Sequence, residues 1–542
     1  MSCHVEQIRM FERILSHLLA YPLAKDKGCV FIMLANYRNN EFSTTALRPY
    51  QTSDGRYTCM FQGELVNELL LRTKLEQTGI YLQSTRLEEL LIELYCFSGD
   101  HFVEILCGKF IFIIFDHEEK TLTVARDRYG TSSLYYQLTD DGIVLATEIA
   151  DFKKNNVQTE ELNQDTLCHY FSCGYFPEEE TYVKNVKHVP AGCLVKYDDA
   201  QGMSIQPFAD MLVIEGARER AVEESQIQQV VTNCIQTRIP HGQMAGMFYT
   251  GRADELIVAT TMKLTGCQFK LFMADFGGEQ LADSVLEPHL IRRQINAYDY
   301  WESANCITQT MGVPLADPRL PVDYLLAELA SKQVDMMIAT DGADLLFGAD
   351  QTLFDWVMML RNELIFTEQV KRKMLQFEGA AWHALVEPYL IEVSDLGRMP
   401  KWQTLQLNTR LKASDTLKTE KITMAYDLKA RYPFLDDEIL NIASFLTGNE
   451  KRSMFMLKQA FKSQISNFGL SPKTNPQKMP LAKWIRTDLY ARIKEKFESE
   501  VAQEYFDQEV LMNMLTQHRK RLRDFSKQIW AVVIFVMWLE KL

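Results

Sequence analysis

The chain has 542 residues, 47% of them hydrophobic and 24% charged. That is a globular balance, and it excludes disordered, collagen-like and low-complexity classes. Its 58 basic against 72 acidic side chains leave a net charge of −14, which speaks against general nucleic-acid binding and an anionic membrane surface unless a local basic patch intervenes.

At roughly 150 residues per domain, the length predicts two to four domains. The eleven cysteines are too dilute for a disulfide scaffold, and no two stand as CxxC. Reduced thiols in a cytoplasmic protein without a zinc motif are the expectation. The N-terminus carries acidic residues before any apolar run, unlike a signal peptide. Leu87, Leu90, Leu91 and Leu94 recur at helical spacing, so an amphipathic helix is predicted between Gly79 and Tyr95. Phe110 to Phe115 is a short continuous apolar run, read as a buried strand. Leu122 to Asp127 and Ile143 to Thr147 follow at hairpin-like spacing.

Strands flanked by helices predict a layered sandwich for the first ~200 residues. A polar, acidic stretch around Asp198 to Glu224 reads as a linker. Beyond it, Met244 to Thr250, Phe269 to Phe276 and Met336 to Thr340 read as strands. Leu256 to Leu264 reads as a helix between the first two, and this alternation predicts a parallel sheet. The remaining ~150 residues read as mostly helical. The longest apolar stretch, Ile529 to Leu539, is too short for a bilayer of ~30 Å and predicts a buried core helix. Met336, Met337, Met358 and Met359 read as core packing, with a flexible pocket as the alternative.

Several motifs then combine. Ala125-Arg126-Asp127-Arg128-Tyr129-Gly130, Leu134-Tyr135-Tyr136 and Ala146-Thr147-Glu148-Ile149 resemble the end of the glutaminase domain of asparagine synthetases. Val189-Pro190-Ala191-Gly192 is similar to that family's PPG element. Asp341-Gly342-Ala343-Asp344-Leu345-Leu346-Phe347-Gly348 resembles DGGDELFGG, and Met424-Ala425 with Arg431-Tyr432-Pro433-Phe434-Leu435-Asp436 resembles SMA…RxPFLD. The pair Trp530-Ala531 and Trp538-Leu539 resembles the family's last helix. The resemblance runs in order from about residue 61 to the C-terminus.

It implies an α/β protein of two domains. Residues 1–205 would be a degenerate glutaminase-like domain with an Ntn-type αββα sandwich. Residues 206–542 would be a parallel-sheet ATP-pyrophosphatase domain with a helical C-terminal part. The implied cofactors are ATP and Mg2+. The implied reaction adenylates a carboxylate, releases pyrophosphate and lets an amine attack. β-Lactam synthetases and lasso-peptide cyclases share the scaffold.

The chain departs from the family at each site. The family's glutaminase uses an N-terminal cysteine as nucleophile, its own α-amine serving as base; here Ser2 precedes Cys3. The RGPD loop is not visible. Gln62-Gly63-Glu64 replaces NGE, and Arg86 stands where an aspartate binds the glutamine ammonium, so glutamine hydrolysis is expected to be absent. The phosphate loop SGGxDSS reads Thr250-Gly251-Arg252-Ala253-Asp254-Glu255-Leu256. Such loops cradle phosphate with backbone N–H groups at a helix N-terminus. Thr250, Gly251, Arg252, Asp254 and Gly342 are the expected nucleotide-binding residues, and Asp254 with Asp344 the metal carboxylates. The alternative for Asp341 and Asp344 is capping of a turn and a helix start. Met454 replaces the lysine that stabilises charge on the acyl-adenylate, so Lys451, Arg452 and Lys458 are the candidates to substitute for it, with solvated surface charge as their alternative; Arg252 is the candidate replacement cation at the phosphate.

Two functions follow from different classes. One is an ATP-dependent, AMP-forming amide synthetase acting on a small-molecule or peptide carboxylate. The other is a catalytically dead pseudo-synthetase, a scaffold or a partner to a biosynthetic protein. Glutamine-dependent asparagine synthesis ranks third.

Overall fold

A computed structural model describes residues 20–22, 32–34, 49–140, 142–154, 157, 159, 161–198, 200–209, 222–277, 285–348, 365–379, 398–468 and 478–542. Ser2, Cys3, Met358 and Met359 lie outside the described residues. The chain divides into two compact units, residues 1–163 with 178–211, and residues 164–177 with 212–542.

The first unit holds two sheets. One contains the strands β1 (Ala20–Pro22), β2 (Ile32–Leu34), β7 (Tyr135–Thr139), β8 (Gly142–Ala146) and β9 (Lys187–His188). Their order is β1-β2-β8-β7-β9, with only β2 and β8 parallel. The other is antiparallel, ordered β11-β10-β6-β5-β4-β3. It comprises β3 (Tyr50–Gln51), β4 (Tyr57–Leu65), β5 (Gly108–Asp116), β6 (Thr121–Arg126), β10 (Cys193–Asp198) and β11 (Gly202–Pro207).

Side chains alternate across a strand, so β5 is apolar on both faces because both are covered. Ile111, Ile113 and Phe115 join Tyr136, Ile143 and Leu145 of the first sheet in one core. Phe110, Phe112 and Ile114 face a second core with the helices α1 (Glu68–Gln77) and α2 (Leu87–Ser98). The leucines predicted from helical spacing are there, with Leu90, Leu91 and Leu94 buried. Part of the predicted linker is instead an edge strand. β11 pairs with β10 from Cys193↔Pro207 to Asp198↔Gly202. It reads as polar because most of its residues are exposed. A boundary at 205/206 falls inside this strand.

The second unit carries a five-stranded, fully parallel sheet ordered β14-β13-β12-β15-β16. Its strands are β12 (Met244–Phe248), β13 (Gln268–Asp275), β14 (Leu290–Gln294), β15 (Met336–Ile338) and β16 (Lys429–Arg431). Helix α3 (Ala253–Leu264) follows β12, and the short α4 (Ala343–Phe347) follows β15. A π-helical segment, Leu407–Asp415, interrupts the helical run that follows Arg398. Near the C-terminus lie α5 (Gln508–Arg519) and α6 (Ser526–Leu539). Every residue of α6 from Ile529 to Trp538 is buried, as its unbroken apolarity predicts. Among the described residues no helix is long and apolar enough to cross a membrane.

Candidate functional site

β12 and β15 are parallel neighbours in register, Ala245 with Met336 and Gly246 with Met337. The loops at their C-terminal ends therefore emerge side by side, where open parallel sheets bind ligands. Two loops almost a hundred residues apart in sequence thus form one site.

The first loop is Thr250-Gly251-Arg252. Gly251 turns the chain at φ 89°, a left-handed conformation that favours glycine, and α3 begins at Ala253. Three backbone N–H groups converge here, but their acceptor is the chain's own Glu255. Its Oε2 accepts from the N–H of Thr250 at 2.6 Å, Gly251 at 3.0 Å and Arg252 at 3.2 Å. The Thr250 hydroxyl also donates to Oε1 at 2.9 Å. The sequence suggests a carboxylate opposing a bound phosphate; the structure places that carboxylate inside the cradle. A helix N-terminus favours an anion, and Glu255 supplies one from the N3 position of α3. Burial and the neighbouring Asp254 push the Glu255 carboxyl up from its ordinary range, against Arg252 and the loop N–H groups.

Asp254 is fully buried, and both its oxygens are engaged. Arg252 Nε donates to Oδ1 at 3.1 Å and Nη2 to Oδ2 at 2.8 Å. The Arg252 side chain remains 43% exposed. It is held more firmly protonated, first by Asp254 and then, against the cost of burial, by Asp344 and Glu255. The second loop is led by Gly342 at φ 87°, where a Cβ would collide with Leu435. Asp344 has its own guanidinium, with Arg410 Nη2 at 3.1 Å from Oδ2 and the same nitrogen 3.1 Å from Asp415. The π-helical i→i+5 spacing brings Arg410 and Asp415 onto one face. Burial would raise the Asp344 carboxyl, but Arg410 and Arg252 outweigh it and hold it low.

The network widens from there. Lys418 Nζ is 2.8 Å from Asp317 and 3.9 Å from Asp323. Arg319 pairs with Asp323 at 2.8 Å. Asp341 accepts from the Thr419 hydroxyl at 2.9 Å. Burial pushes the Asp341 carboxyl up to about 7, with Asp415 and Asp344 adding to the shift and Lys418 opposing it. Burial raises Asp415 as well. Four cations (Arg252, Arg319, Arg410 and Lys418) face seven carboxyls (Asp254, Glu255, Asp317, Asp323, Asp341, Asp344 and Asp415). Three of the seven, Glu255, Asp341 and Asp415, are pushed toward the neutral form.

In this arrangement the residues do not fit a magnesium nucleotide. The phosphate cradle is filled by Glu255, and each expected metal carboxylate is engaged by an arginine. Among the described residues one other group, Cys234, Asp436 and Glu438, has metal-ligand spacing. There Asp436 is paired with Arg238 at 2.6 Å and accepts the Glu438 N–H at the start of its own helix.

The lysines lie elsewhere. Lys451 is only 1% exposed, so it is not a surface charge. Its Nζ donates to Gln403 Oε1 at 2.7 Å, and Gln403 Nε2 donates to the carbonyls of Leu345 and Leu346 at 2.6 and 3.0 Å. Lys458 is partly buried on the helix Phe455–Ala460. Ser453 and Met454, which stand where the family has glycine and lysine, take φ 54° and 56°. Sequence reasoning missed Arg410, Asp415, Lys418 and Gln403. Arg410 reaches Asp344 across 66 residues and Gln403 reaches Leu345 across 58, Lys418 reaches Asp317 across 101, and Asp415 joins through Arg410, beyond the reach of any local pattern.

In the first unit, Gly63 lies against β5 so closely that a Cβ would meet the Lys109 carbonyl. The loop around Arg86 is tied down. Glu89 accepts the N–H groups of Gln83 and Ser84 at 2.8 Å each and the Ser84 hydroxyl. Arg86 pairs with Glu88 at 3.0 Å and lies 5.0 Å over the Tyr50 ring. The Arg126-Asp127 motif is structural. Buried Arg126 donates to Glu178, Ser132, Val189 and Gly130, and Asp127 accepts from Tyr129 and Thr131.

Comparison with known proteins adds to this geometry. Residues 32–209 match the glutamine amidotransferase domain family and residues 280–540 the asparagine synthase family. Asparagine synthetase [glutamine-hydrolyzing] 1 of Bacillus subtilis is 22% identical over 551 residues, covering 91% of this chain and 86% of that protein. A putative asparagine synthetase [glutamine-hydrolyzing] of Mycobacterium tuberculosis is 23% identical, covering 89% and 84%. A solved structure, glutamine phosphoribosylpyrophosphate amidotransferase from B. subtilis, has a TM-score of 0.23 at 17% identity. It covers 42% of this chain and 48% of that one.

Proposed function

Because this chain belongs to the asparagine synthetase family of ATP-dependent amide ligases, we propose that it is a pseudo-synthetase, a cytoplasmic scaffold or partner whose nucleotide site is closed by its own side chains. The observation that supports this reading is the Glu255 carboxylate in the phosphate cradle, bound by three loop N–H groups. ATP and Mg2+ serve the family; here a triphosphate would have to expel a buried, hydrogen-bonded carboxylate before its own charge could enter. Repulsion between two such anions at ~5 Å is roughly 3 kcal/mol at an effective dielectric of ~20. Glutamine hydrolysis is absent in this reading, with Arg86 in place of an aspartate.

A second reading keeps the enzyme, an AMP-forming amide synthetase acting on a small-molecule or peptide carboxylate. It is favoured by one observation: the loops that carry Asp254 and Asp344 follow neighbouring parallel strands, the arrangement in which open sheets bind ligands. Titration calorimetry with MgATP separates the two. The closed-site reading expects no binding at millimolar nucleotide, and no glutamate from labelled glutamine added to the same preparation. Binding accompanied by pyrophosphate release that Asp344→Ala abolishes would establish the enzyme instead.

A further inference from the structure

The turn joining α5 to α6 carries four cations in five residues, Arg519, Lys520, Arg521 and Arg523, in a chain of net charge −14. Among the described residues none of the four has a carboxylate partner. Arg519 lies 3.9 Å over the Tyr490 ring and Arg523 lies 4.8 Å over the Phe525 ring. Stacking leaves the in-plane N–H edges of a guanidinium open to an acceptor. Asp524, the acidic residue of the turn, accepts the Ser526 N–H at 2.9 Å at the start of α6. Leu522, between two arginines, is 72% exposed.

The turn is also rigidly built. The Leu522 N–H donates to Gln517 at 3.0 Å and the Arg521 N–H to His518 at 3.1 Å, which is the Schellman pattern at a helix end. Burial pushes the pKa of the His518 ring below its ordinary value. Its Nε2–H donates to the Ala482 carbonyl at 3.0 Å, and its Nδ1 accepts the Phe525 N–H at 3.1 Å. The position after the helix cap takes φ 57° and is filled by Arg521. Glycine is the low-energy choice there, because a Cβ in the left-handed region costs roughly 1–2 kcal/mol. A cation kept at that cost, beside three others and an exposed leucine, is arranged for contact rather than for stability.

We propose that this turn is a docking surface for a short acidic segment of a partner protein, with the four cations engaging carboxylates around Leu522 as an apolar anchor. Arginine forks suit carboxylates. A chain of net charge −14 would repel a long polyanion such as a nucleic-acid backbone, whereas a short acidic segment meets only the turn. The proposal extends the scaffold reading and rests on it only for the existence of a protein partner. The turn is independent of the nucleotide loop, so MgATP binding by the wild type would overturn that reading and leave this one measurable.

The full chain is titrated by fluorescence anisotropy with a labelled Glu-Glu-Leu-Glu-Glu peptide, a single-stranded oligonucleotide, and vesicles of phosphatidylcholine with phosphatidylserine. The peptide is expected to bind best and to weaken as salt rises. Arg521→Gly is expected to lose about fivefold in affinity, the worth of one charge-assisted contact, while its thermal midpoint rises as the backbone relaxes. Leu522→Ser is expected to weaken binding without lowering that midpoint. Absence of peptide binding, unchanged affinity in Arg521→Gly, or tighter binding of the oligonucleotide or vesicle would each overturn the proposal.

Discussion

At the scale of single residues, Glu255 decides the character of the site and Asp341 reports on it. Neither role is legible locally. Glu255 reads in sequence as a lost hydroxyl donor, yet it is the acceptor that completes the loop. Asp341 reads as a turn residue, yet its carboxyl is pushed up to about 7 from an ordinary 3.8, first by burial and then by Asp415 and Asp344. Between those two values the folded chain holds a proton there that the unfolded chain has released. Asp341 therefore contributes stability that is fully present below about pH 4, falls as pH rises, and is lost above about 7. Asp341→Asn keeps the neutral shape and removes the titration. Compared with wild type it should flatten the decline in unfolding free energy from pH 4 to 7, and be more stable at pH 8 by about 1–3 kcal/mol. Urea denaturation across that range measures both. Parallel curves for the two proteins would show that Asp341 is already ionised.

At the scale of elements, local patterns located strands and helices well because their cause is local. Phe110–Phe115 falls in β5, and Met336–Thr340 contains β15. What periodicity could not supply was the tying of one element to another. α4 is five residues long and cannot hold itself. Its last carbonyls are satisfied by Gln403, which Lys451 in turn positions. A lysine three residues before Met454 reads as a spare catalytic cation, and only its burial shows that it supports α4. Lys451→Met keeps much of the volume and leaves the Gln403 Oε1 without this donor. The expected cost is about 1–3 kcal/mol, that of stranding a buried polar group. Guanidinium denaturation reads it directly. A variant as stable as wild type would return Lys451 to the list of functional residues.

At the scale of the whole chain, the order of motifs gave the family before any side-chain contact was known, and the parallel sheet explains why those motifs meet. The loops after β12 and β15 adjoin because the strands do. Adjacent strands alone do not distinguish an open site from a closed one; the difference lies in which anion occupies the N–H groups of Thr250, Gly251 and Arg252. Replacing the occupant tests this. In Arg252→Gly with Glu255→Ser the loop regains the glycine and a hydroxyl, and Asp254 is freed of its guanidinium. The double variant should be less stable than wild type, because buried N–H groups lose their acceptor at about 1–3 kcal/mol each. It should recover with pyrophosphate and Mg2+, since a ligand bound only by the folded chain at a hundred times its Kd adds about 2.7 kcal/mol. Wild type should show no such shift. A midpoint that rises equally in both proteins would mean that Glu255 yields to the ligand unaided. A double variant that ignores pyrophosphate would mean that closure resides in the Arg410 and Asp344 pair, which Arg410→Ala would then release.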